Sequence, residues 1–290
     1  MGPVKIEPRL TTDAVIAADG YRLPLRRWTP EPGVPTRAVI LALHGFNDYS
    51  KSFDGPGGYF AGRGVAMYAY DQRGFGATRD PGVWAGGDTL AADARAVLKL
   101  LVKAHPGSPV FLMGESMGGA AAVLALTSGE PLPVRGVVLS APAVWGFETM
   151  DFWPRTALKL ANAALPGMVA TAPPELNIRP SDNIAMLRAL ADDPLVIKGA
   201  RVDALHGLTE MMGAALAALP RLDLPTLALY GAHEQVLPPE PVAKARALLA
   251  ANPKATVKVY PDGWHMLLRD LQAARVWEDA AAWIDGRLQD

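Results

Sequence analysis

Short apolar runs recur along this chain, each ending in a cluster of glycine and polar residues. Ala38–Leu43 and Val65–Tyr70 carry no charge and are bounded by turn residues. Such runs are too short for helices and read as strands buried on both faces. Val110–Met113 and Val134–Leu139 have the same character, and Thr226–Tyr230 and Thr256–Tyr260 continue the series. Helical spacing fills the gaps. Between Asp88 and Lys103 the apolar positions Leu90, Ala94, Val97, Leu98 and Leu101 fall on one face, and Pro106-Gly107 stop the element. Tyr59–Arg63 and Pro241–Ala251 read as further helices, and Trp277, Ala281, Ile284 and Leu288 make the stripe of a closing one. At the N-terminus, Val15–Ala18 and Arg22–Trp28 flank Asp19-Gly20, a hairpin signal, with Pro24 pointing to a sheet edge. Apolar strands alternating with helices predict an α/β domain with a mostly parallel sheet covered on both faces.

The alternation breaks from about Val144 to Leu222. No strand pattern is visible there, prolines cut the region into short helices, and Trp145, Phe147, Phe152, Trp153, Leu158, Leu160 and Leu165 crowd one stretch. Because strands resume afterwards, the segment reads as a helical cap inserted after the sixth strand. The expected division is residues 1–144 as the first part of the core, 145–222 as the cap, and 223–290 as the rest of the core. By default the aromatic cluster packs the cap, with Trp145, Phe147, Phe152 and Trp153 as candidates to face a substrate.

Half of the 290 residues are apolar and the formal net charge is −1. A large core is therefore available, and bulk electrostatics favour no nucleic acid partner. Cysteine is absent, which excludes a disulfide framework, a thiol nucleophile and thiolate metal ligands. Met1–Leu10 mixes prolines with charges in place of an apolar leader, Ile6 stands where a myristoylation motif requires Ser or Thr, and no run is long enough to span a bilayer. A cytoplasmic protein, at most peripheral to membranes, is expected.

The candidate chemistry lies at the strand ends, where parallel sheets gather reactive groups. Gly114-Glu115-Ser116-Met117-Gly118 joins a strand to an alanine-rich helix. Glycines at both flanks allow a reversal tight enough to present Ser116 as a nucleophile, with the Met117 amide at a helix start facing developing negative charge. His44-Gly45-Phe46 can supply the Phe46 amide as a second oxyanion donor. Glu234 and His265 follow the last two strands, giving the chain order Ser, acid, His. Asp262 is a rival acid, although Pro261-Asp262-Gly263 reads more simply as a turn. A zinc site at His233-Glu234 would need histidine at 237, where Leu237 stands. His44 reads as a brace for its loop, His105 as a surface residue at a helix end, and His206 as a packed or exposed cap residue. Asp71 and Arg73 read as ties for the loop after their strand. The chemistry is acyl transfer, with His265 activating Ser116 and Glu234 orienting the imidazole, and it requires no metal or organic cofactor.

Taken together, His44-Gly-Phe-Asn, Asp71-Gln-Arg-Gly-Phe-Gly76, Gly114-Glu-Ser-Met-Gly-Gly119, Tyr230-Gly-Ala-His-Glu-Gln-Val-Leu-Pro and Gly263-Trp-His265 resemble the α/β-hydrolases of the monoacylglycerol lipase and lysophospholipase group, often filed with serine aminopeptidases. The resemblance covers roughly the whole chain. It implies hydrolysis of esters with one acyl chain, monoacylglycerols or lysophospholipids, beneath a cap able to touch membranes or micelles transiently. The group usually carries Asp where Glu234 stands. Two alternatives follow: an aminopeptidase or amidase of this fold, needing cap acids such as Glu148, Asp151, Glu175 or Glu210 to hold an ammonium, and a binding protein without turnover.

Overall fold

A computed structural model describes residues 2–171 and 177–288. In chain order the strands are β1 (Arg9–Leu10), β2 (Ala14–Ile16), β3 (Arg22–Trp28), β4 (Ala38–Leu43), β5 (Val65–Tyr70), β6 (Val110–Glu115), β7 (Gly136–Ser140), β8 (Val169–Ala170), β9 (Ala200–Arg201), β10 (Thr226–Gly231) and β11 (Ala255–Tyr260). The helices are α1 (Asp54–Ala61), α2 (Gly87–Ala104), α3 (Met117–Thr127), α4 (Phe152–Ala164), α5 (Ile184–Asp192), α6 (Val202–Ala218), α7 (Pro239–Ala250) and α8 (Ala273–Asp285).

One sheet runs β1-β2-β3-β5-β4-β6-β7-β10-β11, antiparallel through β3 and parallel from β5 onward. The period of two decides which side chain enters which layer. Val39, Leu41 and Leu43 of β4 join the core under α2 and α3, while Ala38, Ile40 and Ala42 join the one under α1 and α8. Both faces are covered, which is why these strands read as unbroken apolar runs. The α/β-hydrolase fold expected from the sequence is the fold observed.

Several local expectations change. Strand β1, two residues long and partly exposed, carries no alternation and was not foreseen, so the insertion follows the seventh strand instead of the sixth. Pro24 does not mark an edge: β3 lies between β2 and β5. The N–H that Pro24 lacks would face the chain just past β5, where the ladder has ended, and its carbonyl accepts from the Asp71 amide at 2.8 Å. The insertion does contain strands, the antiparallel pair of β8 and β9, too short to leave a pattern.

The insertion is also packed unevenly. Helix α6 buries Met211, Met212, Ala215, Leu216 and Ala218 in the same core as α2 and α3. Helices α4 and α5 bury no residue. On α4, Phe152 is 58 % exposed and Trp153 77 %, with Leu160 and, just past the helix end, Leu165 also exposed, so these side chains do not pack the cap. Among the described residues no helix is long and apolar enough to cross a membrane. Glu175, one of the cap acids, lies outside the described residues.

Candidate active site

The β6–α3 turn holds Ser116 at φ 53°, ψ −118°, a region that a non-glycine residue occupies only when its surroundings impose it. The surroundings do so. A Cβ at Gly118 would overlap the Leu43 carbonyl, and one at Gly114 would lie 2.6 Å from the Gly118 carbonyl carbon. The Ser116 amide donates to the Ser140 carbonyl at 3.0 Å, and the Ser116 carbonyl accepts from Gly119, Ala120 and Ala143 at 2.9, 3.2 and 3.0 Å. Register then sets the neighbours. Leu43 pairs with Gly114 across β4 and β6, so the His44–Phe46 loop emerges beside the serine, and Gly231 pairs with Tyr260, so the acid and histidine loops emerge together.

Those loops complete a hydrogen-bonded chain. His265 Nε2 lies 3.0 Å from Ser116 Oγ, and His265 Nδ1 lies 2.7 Å from Glu234 Oε2. The longer arm of glutamate is accommodated by a tight turn in which Val236 and Leu237 amides donate to Oε1 at 2.7 and 3.0 Å. Burial alone would raise the Glu234 pKa. The hydrogen bond and charge of His265, with the two amides, outweigh it, and the carboxyl is held below its ordinary value. Its rival Asp262 is exposed on the adjoining turn.

The Phe46 ring packs into an aromatic group, 5.5 Å from Phe75 and 6.4 Å from Trp84 by centroids. Its amide, like that of Met117, makes no intramolecular hydrogen bond among the described residues. Asn47 follows at φ 64°, a conformation asparagine tolerates. His44 braces this loop: Nδ1 meets the Gly45 carbonyl at 2.8 Å, and Nε2 accepts from the Gln72 amide at 2.9 Å. Burial lowers the His44 pKa, in keeping with the neutral tautomer this pairing needs. Asp71 accepts from Ser50 and Ala77, and Arg73 forks between Asp19 and Asp93, so both tie loops as expected. His105 is not a free surface residue; it is half-buried, 2.8 Å from the Tyr68 hydroxyl.

A cavity of about 290 Å³ opens over Ser116 and His265. Trp145, Leu208, Met212, Val236, Leu237 and Met266 form its apolar wall. Phe147, Phe152 and Trp153 do not line it. The ring of Phe147 packs on His206 at 5.0 Å with the Lys159 ammonium over it, and the other two sit on the outward helix α4. The opposite wall is polar and was not singled out in the sequence: Asp48, Glu115 and Arg269. Arg269 Nη2 donates to Glu115 Oε2 at 3.1 Å and lies 2.7 Å from Asp48 Oδ2, a charge contact whose angle falls short of a hydrogen bond. Burial pushes the Glu115 carboxyl up, opposed by Arg269. Among the described residues Glu115 Oε1 and Arg269 Nε make no hydrogen bond. The available signal was positional, since Glu115 precedes Ser116 and Arg269 lies one helical turn past His265.

Residues 34–272 match the family described as serine aminopeptidase, S33. The monoglyceride lipase of Homo sapiens is 27% identical, over 98% of this chain and 96% of that protein. The monoacylglycerol lipase of Mycolicibacterium smegmatis is also 27% identical, over 93% and 95%. Among solved structures, a soluble variant of monoglyceride lipase from Saccharomyces cerevisiae, in complex with a substrate analog, matches with a TM-score of 0.78 at 22% identity, covering 96% of each chain. A match of that kind speaks for the fold. With a family match over most of its length and the fold to accompany it, the chain belongs to the serine aminopeptidase S33 family of α/β-hydrolases and is a serine hydrolase.

Proposed function

We propose that this serine ester hydrolase cleaves esters carrying a single acyl chain, monoacylglycerols foremost, through an acyl-enzyme on Ser116. The observation that carries the reading is the continuous Glu234–His265–Ser116 hydrogen-bonded chain, whose serine and histidine open into a cavity with one apolar wall. His265 Nε2 takes the Ser116 proton as Oγ attacks the ester carbonyl, and the amides of Phe46 and Met117 receive the oxyanion. The same proton passes to the departing alkoxide as the C–O bond breaks. Water, deprotonated by His265, then releases the acid and restores Ser116. Glu234 keeps Nδ1 protonated and stabilises the imidazolium.

The polar wall favours a neutral polyol as leaving group. Two carboxyls face one guanidinium there, which leaves no surplus positive charge for a phosphate, so monoacylglycerols are preferred to lysophospholipids. The amidase reading loses support, because Glu148, Asp151 and Glu210 are exposed and do not line the cavity. The exposed aromatic face of α4 is the surface proposed to meet lipid aggregates.

Fluorophosphonate labelling of the wild type and Ser116→Ala, combined with turnover across glycerol monoesters of increasing chain length, tests the proposal. Labelling is expected to vanish in the variant, and turnover to rise with chain length before falling at the limit of the cavity. Labelling that survives the substitution removes the nucleophile, and no turnover at any chain length removes the ester class.

A further inference from the structure

The loop that carries His265 is anchored from two sides: the core buries Leu267 and Leu268 and ties the Gly263 carbonyl to the His233 amide at 2.9 Å, and the insertion adds a second set of bonds. On one side of the histidine, the Trp264 amide donates to Asp270 Oδ2 at 2.8 Å. On the other, the Met266 amide donates to the carbonyl of Pro180 in the insertion at 2.9 Å. Asp270 Oδ1 in turn accepts from the hydroxyl of Ser181 at 2.6 Å, and both side chains are buried. The same stretch adds two more ties: Asn183 Nδ2 donates to the Arg269 carbonyl at 2.9 Å, and the Leu271 amide donates to Asp182 Oδ1 at 2.9 Å. Arg179 stacks over the Trp264 ring at 4.8 Å, and its amide donates to Gln235 Oε1, beside Glu234.

We propose that Asp270 is a positioning residue for His265 and that Ser181 makes the insertion part of the catalytic alignment. Asp270 holds the Gly263–Trp264 peptide, one residue ahead of the histidine, and Pro180 holds the His265–Met266 peptide just after it, so the reach of Nε2 toward Ser116 depends on where residues 180–183 sit. Neither Asp270 nor Ser181 lines the cavity; both act through backbone they hold. A buried carboxylate accepting a peptide N–H and a hydroxyl is a strong, directional pair of bonds, and removing it takes the anchor from the N–H of the Gly263–Trp264 peptide, whose carbonyl still accepts from the His233 amide at 2.9 Å. Misplacement of a general base by an ångström costs rate far more than affinity.

The proposal rests on His265 being the general base, and the experiment separates the two. Ser181→Ala, Asp270→Ala and Asp270→Asn are compared with His265→Ala on a short soluble ester, with kcat and KM resolved and unfolding midpoints measured in parallel. Asp270→Ala is expected to lower kcat about 10- to 100-fold, with KM within twofold. Ser181→Ala should fall several-fold, and Asp270→Asn, which keeps one acceptor for the Trp264 amide, should recover part of the loss. The fluorophosphonate inactivation rate should fall in proportion to kcat. The low-field proton resonance of His265 Nδ1–H should broaden in Asp270→Ala and sharpen again in Asp270→Asn. Unchanged kcat in folded Asp270 and Ser181 variants, or a rise in KM alone, overturns the positioning role while His265→Ala remains inactive. Turnover that survives His265→Ala overturns the catalytic reading itself. Should Asp270→Ala not fold, Ser181→Ala and Asp270→Asn decide the matter by the same criteria.

Discussion

Ser116 and His265 meet across 3.0 Å, yet they are held there in opposite ways. The serine is fixed by what lies within a few residues or one strand away: two glycines, the Leu43 and Ser140 carbonyls, and the start of α3. The histidine is bracketed by Asp270, shortly after it, and by Pro180 and Ser181, more than eighty positions earlier, in an insertion that leaves the sheet. Nucleophile geometry is therefore a property of the sheet, whereas base geometry is a property of the whole chain. Errors in the first should be local and absolute; errors in the second should be distant and graded.

Experiments can break that comparison or sharpen it. Ser116→Ala should reduce turnover by on the order of 10⁵- to 10⁶-fold without loss of fold, as read from kcat and an unchanged urea midpoint. Glu234→Gln should leave the geometry but misplace the Nδ1 proton, for a loss on the order of 10⁴-fold. Glu234→Asp should fall between wild type and Glu234→Gln, because a shorter arm gives up either His265 or the Val236 and Leu237 amides. A rate equal to wild type would show that this turn is not built around glutamate. Gly118→Ala forces a methyl into the Leu43 carbonyl and should destabilise by about 2–3 kcal/mol, seen in urea unfolding together with lost labelling of Ser116.

Acid should act on the pair through Glu234. Its folded pKa lies below the ordinary 4.5, so the unfolded chain takes up the proton first. The stabilisation is complete above about pH 4.5 and disappears as pH falls through the lower folded value. The stability gap between wild type and Glu234→Gln should close over that window, and a gap that persists contradicts a contribution from the ionised carboxylate. The smallest effect belongs to the outer face. Trp153→Ser should change stability by no more than about 0.5 kcal/mol and lower turnover of vesicle-held monoacylglycerol several-fold relative to a soluble short ester.

The same contrast explains what could be read from the sequence. The parallel strands, α2, the nucleophile turn and the order Ser116, Glu234, His265 all follow from patterns that span a few residues, and they stand where the patterns put them. Strands of two residues leave no periodicity, so β1, β8 and β9 were invisible. Phe152 and Trp153 misled for a different reason. Aromatic clustering signals a need for burial, but among the described residues none covers Phe152 and Trp153 on α4. Asp48, Glu115, Arg269, Asp270 and Ser181 were missed because each is an ordinary polar residue until the fold brings it beside the site. Only Glu115 and Arg269 carried any positional clue.

Helix α6 has a consequence for how such an enzyme could change its diet. Its Leu208 and Met212 face the cavity over Ser116, yet the helix is seated on α3 as firmly as any core element. The α6 side of the cavity therefore travels with the scaffold, while α4 and α5, which bury no residue, can be swapped, lengthened or trimmed with little penalty to folding. Selection can retune how lipid arrives without touching the surface that measures it, so long as residues 180–183 keep their grip on the histidine.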